Sequence, residues 1–267
     1  MENSERFRAI TDQLKSEWTL LLPLRLVVYS KDRMYPPCSD MVTLLVATRN
    51  LHKVEEIRSI LGAGFDCLSL QNLPQAPELV EDALTFAGNA TRKAVQLAKW
   101  LAANQSSARG SQYVLADDSG LEVDALKGAP GVHSARFAAM DTGKSGNSSA
   151  EDNNAKLLGL LQNVPGEKRT ARFRCVLALT PILKIHKEAS SPVCSADDFE
   201  LQTELFEGSC EGRLGFEPRG RGGFGYDPLF FPQGYEQTFS ELGEQTKNNL
   251  SHRAKALEEL RKRLAPA

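Results

Sequence analysis

Short runs of consecutive apolar residues alternate along this chain with stretches in which apolar side chains recur every three to four positions, the signature of buried strands interleaved with amphipathic helices. Residues 42–47, VTLLVA, read as a buried parallel strand; a polar turn over 48–52 leads into a periodic helix over 53–61. A second strand covers 65–70. A proline-rich link then reaches the segment 78–82, ELVED, and a helix follows over about 84–103 with Phe86, Ala90, Ala94, Leu97 and Leu101 on one face. After a Ser/Gly-rich linker at 104–112, the strand Tyr113-Val114-Leu115-Ala116 gives way to Asp117, Asp118, Ser119 and Gly120, which places both carboxylates just past the strand's end. Downstream come a Gly/Ser-rich loop at 141–149 that reads as mobile, a helix over 151–161, a strand over 171–180, a polar hairpin excursion over 181–196 and an alternating return strand over 199–210. A final helix begins at Lys247 and runs to about Leu264. The pattern predicts an α/β fold: a long mixed β-sheet flanked by helices, with an antiparallel flap and two lobes separated by a cleft.

Residues 1–41 stand apart from this pattern as an N-terminal extension, and residues 42–267 form the main domain. The apolar run at 19–29 is broken by Pro23 and Arg25, too short for a bilayer span, and lacks the small-residue cleavage site of a secretory signal. A packed extra element is one reading of the extension. The preferred readings are a poorly ordered tail or a start codon assigned too far upstream, since Met41 directly precedes the first strand. With 267 residues and 41% hydrophobic content the chain buries a full core, and a net charge of −2 with interspersed signs offers no basic field for nucleic acid or an anionic membrane. Any phosphate site must therefore be built locally. The five cysteines are odd in number and lack metal-ligand spacing, which fits free thiols in a reducing cytoplasm and gives no zinc site.

Five stretches carry candidate chemistry. Thr48, Asn50 and Lys53 surround a strand-to-helix turn whose free N–H groups suit polyphosphate, although a short βα turn uses Thr and Asn as caps in any case. Because strand side chains alternate, one of Asp117 and Asp118 faces a cleft while the other secures the neighbouring turn. Glu81 precedes a helix, as a cap or as a metal ligand. Four glycines at 220, 222, 223 and 225, with Phe224, Tyr226 and Asp227, allow close backbone approach to a ligand beside an aromatic face, or form a plain hairpin. Lys247, His252 and Arg253 sit ahead of the amphipathic part of the last helix.

Taken together, TRNLHK at 48–53, Glu81 ahead of LTFAGNA, ADDSGLEVDALKGAPGVHSAR at 116–136, GGFGYDPLF at 222–230 and SHRAKAL at 251–257 resemble the non-canonical purine NTP pyrophosphatases, the inosine/xanthosine triphosphate pyrophosphatases. The resemblance runs from about residue 42 to the end and excludes the extension. It implies a homodimeric, Mg²⁺-dependent hydrolase that converts dITP, ITP and XTP to monophosphate and pyrophosphate in the cytoplasm, with the nucleotide in the cleft and no nucleic-acid or membrane partner. By position it implies Asp118 as general base and metal ligand, and Glu81 as the second metal carboxylate. It implies Thr48, Arg49, Asn50, Leu51, His52 and Lys53 as the triphosphate loop, with Ser119 as a substrate contact. Phe224, Gly225, Tyr226, Asp227, Lys247, His252 and Arg253 match the base and phosphate pocket. The chain departs from the family pattern at Arg49, where a small residue or Asn is usual, and at Gly88, where Glu is often found. Two alternatives are a septum-inhibitor-type pyrophosphatase of modified pyrimidine triphosphates, which the SHR and FGYD motifs disfavour, and a nucleotide-binding regulator without turnover, which an intact Asp118 disfavours.

If the extension is a tail, a chain beginning at Met41 should keep the melting temperature and turnover of the full chain. A large fall in melting temperature would identify the 19–29 run as a packed element.

Overall fold

The computed structural model describes residues 41–104, 110–141, 143, 146–182 and 197–265. Residues 1–40 of the N-terminal extension, residues 183–196 of the excursion expected over 181–196, and parts of the 104–112 linker and the 141–149 loop lie outside the described residues. In chain order the elements are β1 (Val42–Val46), α1 (Leu51–Leu61), β2 (Phe65–Ser69), α2 (Phe86–Asn104), β3 (Tyr113–Val123), α3 (Ala150–Leu160), β4 (Thr170–Pro181), α4 (Asp197–Leu201), β5 (Glu204–Leu214), β6 (Phe230–Pro232), α5 (Phe239–Leu250) and α6 (His252–Leu264).

The strands form one sheet in the order β2-β1-β3-β4-β5-β6. The first three run parallel, because the helices α1 and α2 return the chain to the same end each time. The other three are antiparallel, so the expected flap is a continuation of the main sheet. Both faces are covered. Leu45, Val114, Ala116, Val176 and Ala178 pack against Ala90, Ala94, Leu97 and Leu101 of α2. On the opposite face Leu44, Val46, Leu115 and Leu177 meet Ile57 of α1 and Ala256, Leu257 and Leu260 of α6. Further along that sheet, Leu121, Val123 and Phe173 join Leu157 of α3, Phe230 and Phe239 in a third cluster.

Two adjacent strands part company at the centre of the sheet. β1 pairs with β3 only through Tyr113, Val114 and Leu115, with a last rung from the Ala47 N–H to the Leu115 carbonyl at 2.8 Å. β3 continues to Val123 with β4 alone as its ladder partner. The loop after β3 folds back over the far part of the exposed edge, where the Leu121 N–H donates to Ser134 Oγ and the Val123 N–H to the Ala129 carbonyl. Between these two closures, residues 116–120 face a gap. Asp117 and Asp118 therefore lie within an eleven-residue strand, where the sequence pattern places them beyond its end. Pairing with β4 keeps the backbone extended even where the side chains turn polar.

Other boundaries shift for local reasons. The helix expected over 53–61 starts at Leu51, because the Asn50 side chain caps it by accepting from the Lys53 N–H at 3.4 Å. The helix expected over about 84–103 is Phe86–Asn104. The return strand expected over 199–210 is a helical turn, Asp197–Leu201, followed by β5 from Glu204. The closing helix is two helices: Lys247 belongs to the last turn of α5, and Ser251 caps α6 by accepting from the Ala254 N–H at 3.1 Å.

Gly208 of β5 is where the sheet admits α6: a Cβ there would land on the His252 carbonyl oxygen and 2.7 Å from the Ala256 nitrogen. Gly208→Ala should destabilise the fold by about 1–3 kcal/mol in urea unfolding, since only backbone can give way. Gly159→Ala, in α3 with nothing within 4 Å of the new methyl, should be neutral or stabilise by up to about 1 kcal/mol.

Candidate active site

The gap beside β3 lies where β1 ends and its neighbours connect in opposite directions, the place at which open α/β sheets hold ligands. Two helix N-termini meet there. α1 brings Lys53 in its first turn and α6 brings His252 and Arg253 in its first turn. Cations at helix starts oppose the helix dipole, so these positions need compensating anions, and both helices offer first-turn N–H groups to an anion.

The compensation comes from a connected set of buried carboxylates. Asp117 pairs with Lys53, with Arg253 Nε at 2.8 Å, and accepts from Ser119 Oγ at 2.9 Å and Cys175 Sγ at 3.3 Å. Arg253 also pairs with Glu56 and donates from Nη2 to Ser119 Oγ at 2.9 Å. Lys247 Nζ lies 2.7 Å from Glu56 and 2.6 Å from Asp227, whose Oδ2 also accepts from the Phe224 N–H at 2.8 Å. Arg253 is 1% exposed, so its charge depends entirely on these partners. Burial alone raises the Asp117 carboxyl, but Arg253 and Lys53 outweigh it and hold the group well below the usual carboxylate range. Glu56 is lowered in the same way, with burial overcome by Arg253 and Lys247. Burial raises Asp227 despite Lys247.

A cavity of about 240 Å³ opens against this network. Asn50, Lys53, Ser119, Phe224, Gly225, Tyr226, Asp227, Lys247, His252 and Arg253 all line it, together with Ser134, Asn153 and Phe173. The Tyr226 hydroxyl donates to the Ser134 carbonyl at 2.9 Å, and Gly225, at φ +62°, accepts from Asn154 Nδ2 at 3.0 Å. The His252 ring stacks on Phe173, centroids 4.9 Å apart, and its buried Nδ1 has no hydrogen-bond partner. Burial and the neighbouring Arg253 and Lys247 push the His252 pKa well down, so the ring is neutral.

Four residues of the 48–53 loop are placed differently. Thr48 Oγ1 accepts from the Asn50 N–H at 3.2 Å and shapes the turn. The Arg49 guanidinium donates to the Ala76 carbonyl at 3.1 Å, so this departure from the family pattern ties the loop to the proline-rich link. Leu51 is exposed, and His52 stacks on Phe224 outside the 240 Å³ cavity.

Asp118 faces the α2 side of the same strand. Lys93 of α2 lies 3.2 Å from its Oδ1 and 2.9 Å from Glu81 Oε1, and donates to the Asp117 carbonyl at 2.8 Å, occupying the edge that β1 leaves open. Asn89 Nδ2 donates to Asp118 Oδ2 at 3.2 Å and its Oδ1 accepts from the Ala83 N–H at 2.9 Å. Burial raises the Asp118 pKa against the opposing ammoniums of Lys93 and Lys53, while Asp118 and Glu81 raise Lys93 beyond what its own burial takes away. Two carboxylates thus converge on one cationic group, with Glu81 still 41% exposed. Hard oxygen donors with open positions fit Mg²⁺ completed by water and ligand oxygens. Among the described residues, no group of three or more His, Cys, Asp or Glu converges as a full metal shell.

The sequence reading missed Lys93, Asn89 and Glu56. The first two carried a signal: both lie on the apolar stripe of α2, at positions adjoining Ala90 and Ala94, where a lysine and an asparagine have no core role. Glu56 is one turn beyond Lys53 on α1.

The Ham1 family's sequence profile matches residues 44–263. A dITP/XTP pyrophosphatase of Desulforamulus reducens is 46% identical over 80% of this chain and 91% of its own length. One of Geobacter sulfurreducens is 45% identical over 81% and 94%. The solved structure of a HAM1 protein from Coxiella burnetii superposes with a TM-score of 0.64 at 31% identity, covering 84% of this chain and 98% of that one.

Replacing Asp117 by Asn leaves Lys53 and Arg253 buried without their shared anion and should destabilise the protein by about 3 kcal/mol at pH 7. A depressed carboxylate adds stability above its unfolded pKa and loses it as pH falls through the folded value. The gap between the two proteins in urea unfolding should therefore be constant at neutral pH and narrow below about pH 4.

Proposed function

This chain belongs to the Ham1 family, and on that premise we propose that it hydrolyses the non-canonical purine nucleoside triphosphates dITP, ITP and XTP to the monophosphate and pyrophosphate. The observation that carries the reading is the division of one strand, β3, between two chemistries. Ser119 opens onto a cationic, aromatic cavity, and Asp118 meets Glu81 and Lys93 on the other face. The purine lies against Phe224, while the triphosphate follows Asn50, Ser119, Lys53 and Lys247 toward the Asp118 side. A triphosphate carries about four negative charges, and displacement at phosphorus needs them balanced and a water held in line.

Asp118, raised by burial, accepts a proton from the water that attacks the α phosphorus, and Asn89 and Lys93 hold its carboxylate in place. Lys53 and Lys247 meet the charge that gathers on the departing pyrophosphate. Glu81 and Asp118 would hold Mg²⁺, which supplies neutralisation of phosphate charge at the reacting centre. The chain acts as a homodimer in the cytoplasm. The buried reduced thiols of Cys67, Cys175 and Cys210 suit that compartment.

Base choice rests on the pocket's donors. A 6-keto oxygen accepts where the adenine 6-amino group donates. Arg253 already gives Nε, Nη1 and Nη2 to Asp117, Glu56 and Ser119, which leaves the neutral His252 ring, whose Nδ1 has no protein partner, to read O6 in the tautomer that carries Nδ1–H.

Asp118→Asn should reduce pyrophosphate release from ITP with Mg²⁺ by a hundredfold or more while preserving the fold, on the scale of lost proton transfer. Retention of a tenth of the activity would remove Asp118 from the mechanism. In ¹⁸O-water the label should enter the monophosphate; orthophosphate and a nucleoside diphosphate as first products would exclude attack at the α phosphorus. His252→Ala should compress the ITP:ATP ratio of kcat/KM by about tenfold or more, the worth of one unpaired buried polar group. Arg253→Ala should depress both substrates alike.

A further inference from the structure

Phe224 stands between two cavities. It lines the 240 Å³ cleft and also a neighbouring cavity of about 440 Å³, whose wall includes His52, Glu55, Glu56 and Glu244. The loop that carries Phe224 contributes little stiffness of its own, since Gly223 and Gly225 on either side both have positive φ. Its ring orientation must come from contacts. The backbone is fixed by the Phe224 N–H to Asp227, and the Lys247 ammonium lies 4.4 Å from the ring centroid. The Arg253 guanidinium stands farther off, at 6.0 Å, and the aromatic ring stacked on Phe224 is His52, parallel to within 14° at a centroid distance of 5.6 Å.

We infer that His52 is a positioning residue for the base platform and takes no part in phosphate binding. His52 and Lys53 are consecutive in the first turn of α1, yet Lys53 turns into the cleft and pairs with Asp117 while His52 lines the acid-walled cavity behind Phe224. A polyphosphate would meet three glutamates there against one cation, Lys247, which Glu56 and Asp227 already hold. One rigid helical turn thus sets both ends of the site: Lys53 fixes the cation, and His52 holds the ring against which the purine stacks. This rests on the purine-triphosphate reading above and adds to it the residue that fixes the spacing between base and phosphates.

The test compares the full chain with His52→Ala, His52→Phe and His52→Lys. Three readouts are used: steady-state ITP hydrolysis with Mg²⁺, ITP binding by calorimetry in EDTA, and inhibition by inorganic tripolyphosphate, which has no base. His52→Ala should raise KM and the EDTA Kd for ITP about three- to tenfold, the worth of one aromatic contact, with kcat changed less than twofold. His52→Phe should restore both and His52→Lys should not, and tripolyphosphate inhibition should be the same in all four. The inference is overturned if His52→Ala binds ITP as the unmodified chain does, if His52→Phe is as impaired as His52→Ala, or if His52→Lys is the variant that rescues and tripolyphosphate affinity falls with ITP affinity. Absence of ITP turnover by the unmodified chain would sink the proposed activity, while the calorimetric comparison would still decide the role of His52.

Discussion

Six buried or half-buried charges alternate in sign along one path, from Lys53 to Asp117, Arg253, Glu56, Lys247 and Asp227. The path joins α1, β3, α6, α5 and the glycine-rich loop, five segments that no single apolar cluster unites. Each ion is largely withdrawn from water and depends on the next, so the network is neutral as a whole and intolerant of losing a member. That constraint explains why cations occupy the starts of α1 and α6 against their dipoles. It also explains why the cavity has a fixed shape before any anion enters, which lowers the reorganisation that binding requires.

The network fills a break in the core. On the face of β3 that carries Leu115, Leu121 and Val123, the apolar packing is interrupted only at Asp117 and Ser119, between the cluster under α6 and the one under α3 and α5. A strand whose neighbour departs halfway leaves backbone groups to satisfy, and Lys93 and Ser134 meet that demand from opposite ends of the gap. Structural necessity and site chemistry therefore use the same residues. Removing Lys93 would open the edge of β3 as well as release Asp118.

Much of this was legible in the sequence. The strands β1 and β4, the stripe of α2, the turn at Asn50 and the cluster around Phe224 all follow from local period and cap chemistry, and the mixed sheet follows from their order. The DDSG stretch misleads because a strand's end is judged by where apolar residues stop, whereas here β4 pairing carries β3 seven residues past Ala116, to Val123. Helix α5 is hidden by a polar composition and by Gly243, whose φ of +78° breaks the helix in its middle. α4 is too short for its period to register. Glu56 is invisible for another reason: a glutamate on a helix reads as solvated surface unless its distant partners, Lys247 and Arg253, are known to arrive beside it.

Adjacent residues on a strand point to opposite faces, and β3 uses that alternation to give two neighbouring aspartates opposite electrostatic fates. Asp117 meets two cations and stays ionised, which makes it a poor proton acceptor and a good anchor. Asp118 shares its one close cation, Lys93, with Glu81, and burial together with the Glu81 charge raises its pKa. The environment, set by which helix covers which face, assigns the roles. A second close cation from α2 beside Asp118, or withdrawal of Lys53 from Asp117 by α1, would narrow the difference between the two carboxyls without altering either side chain, and with it the basis for proposing Asp118 as the base.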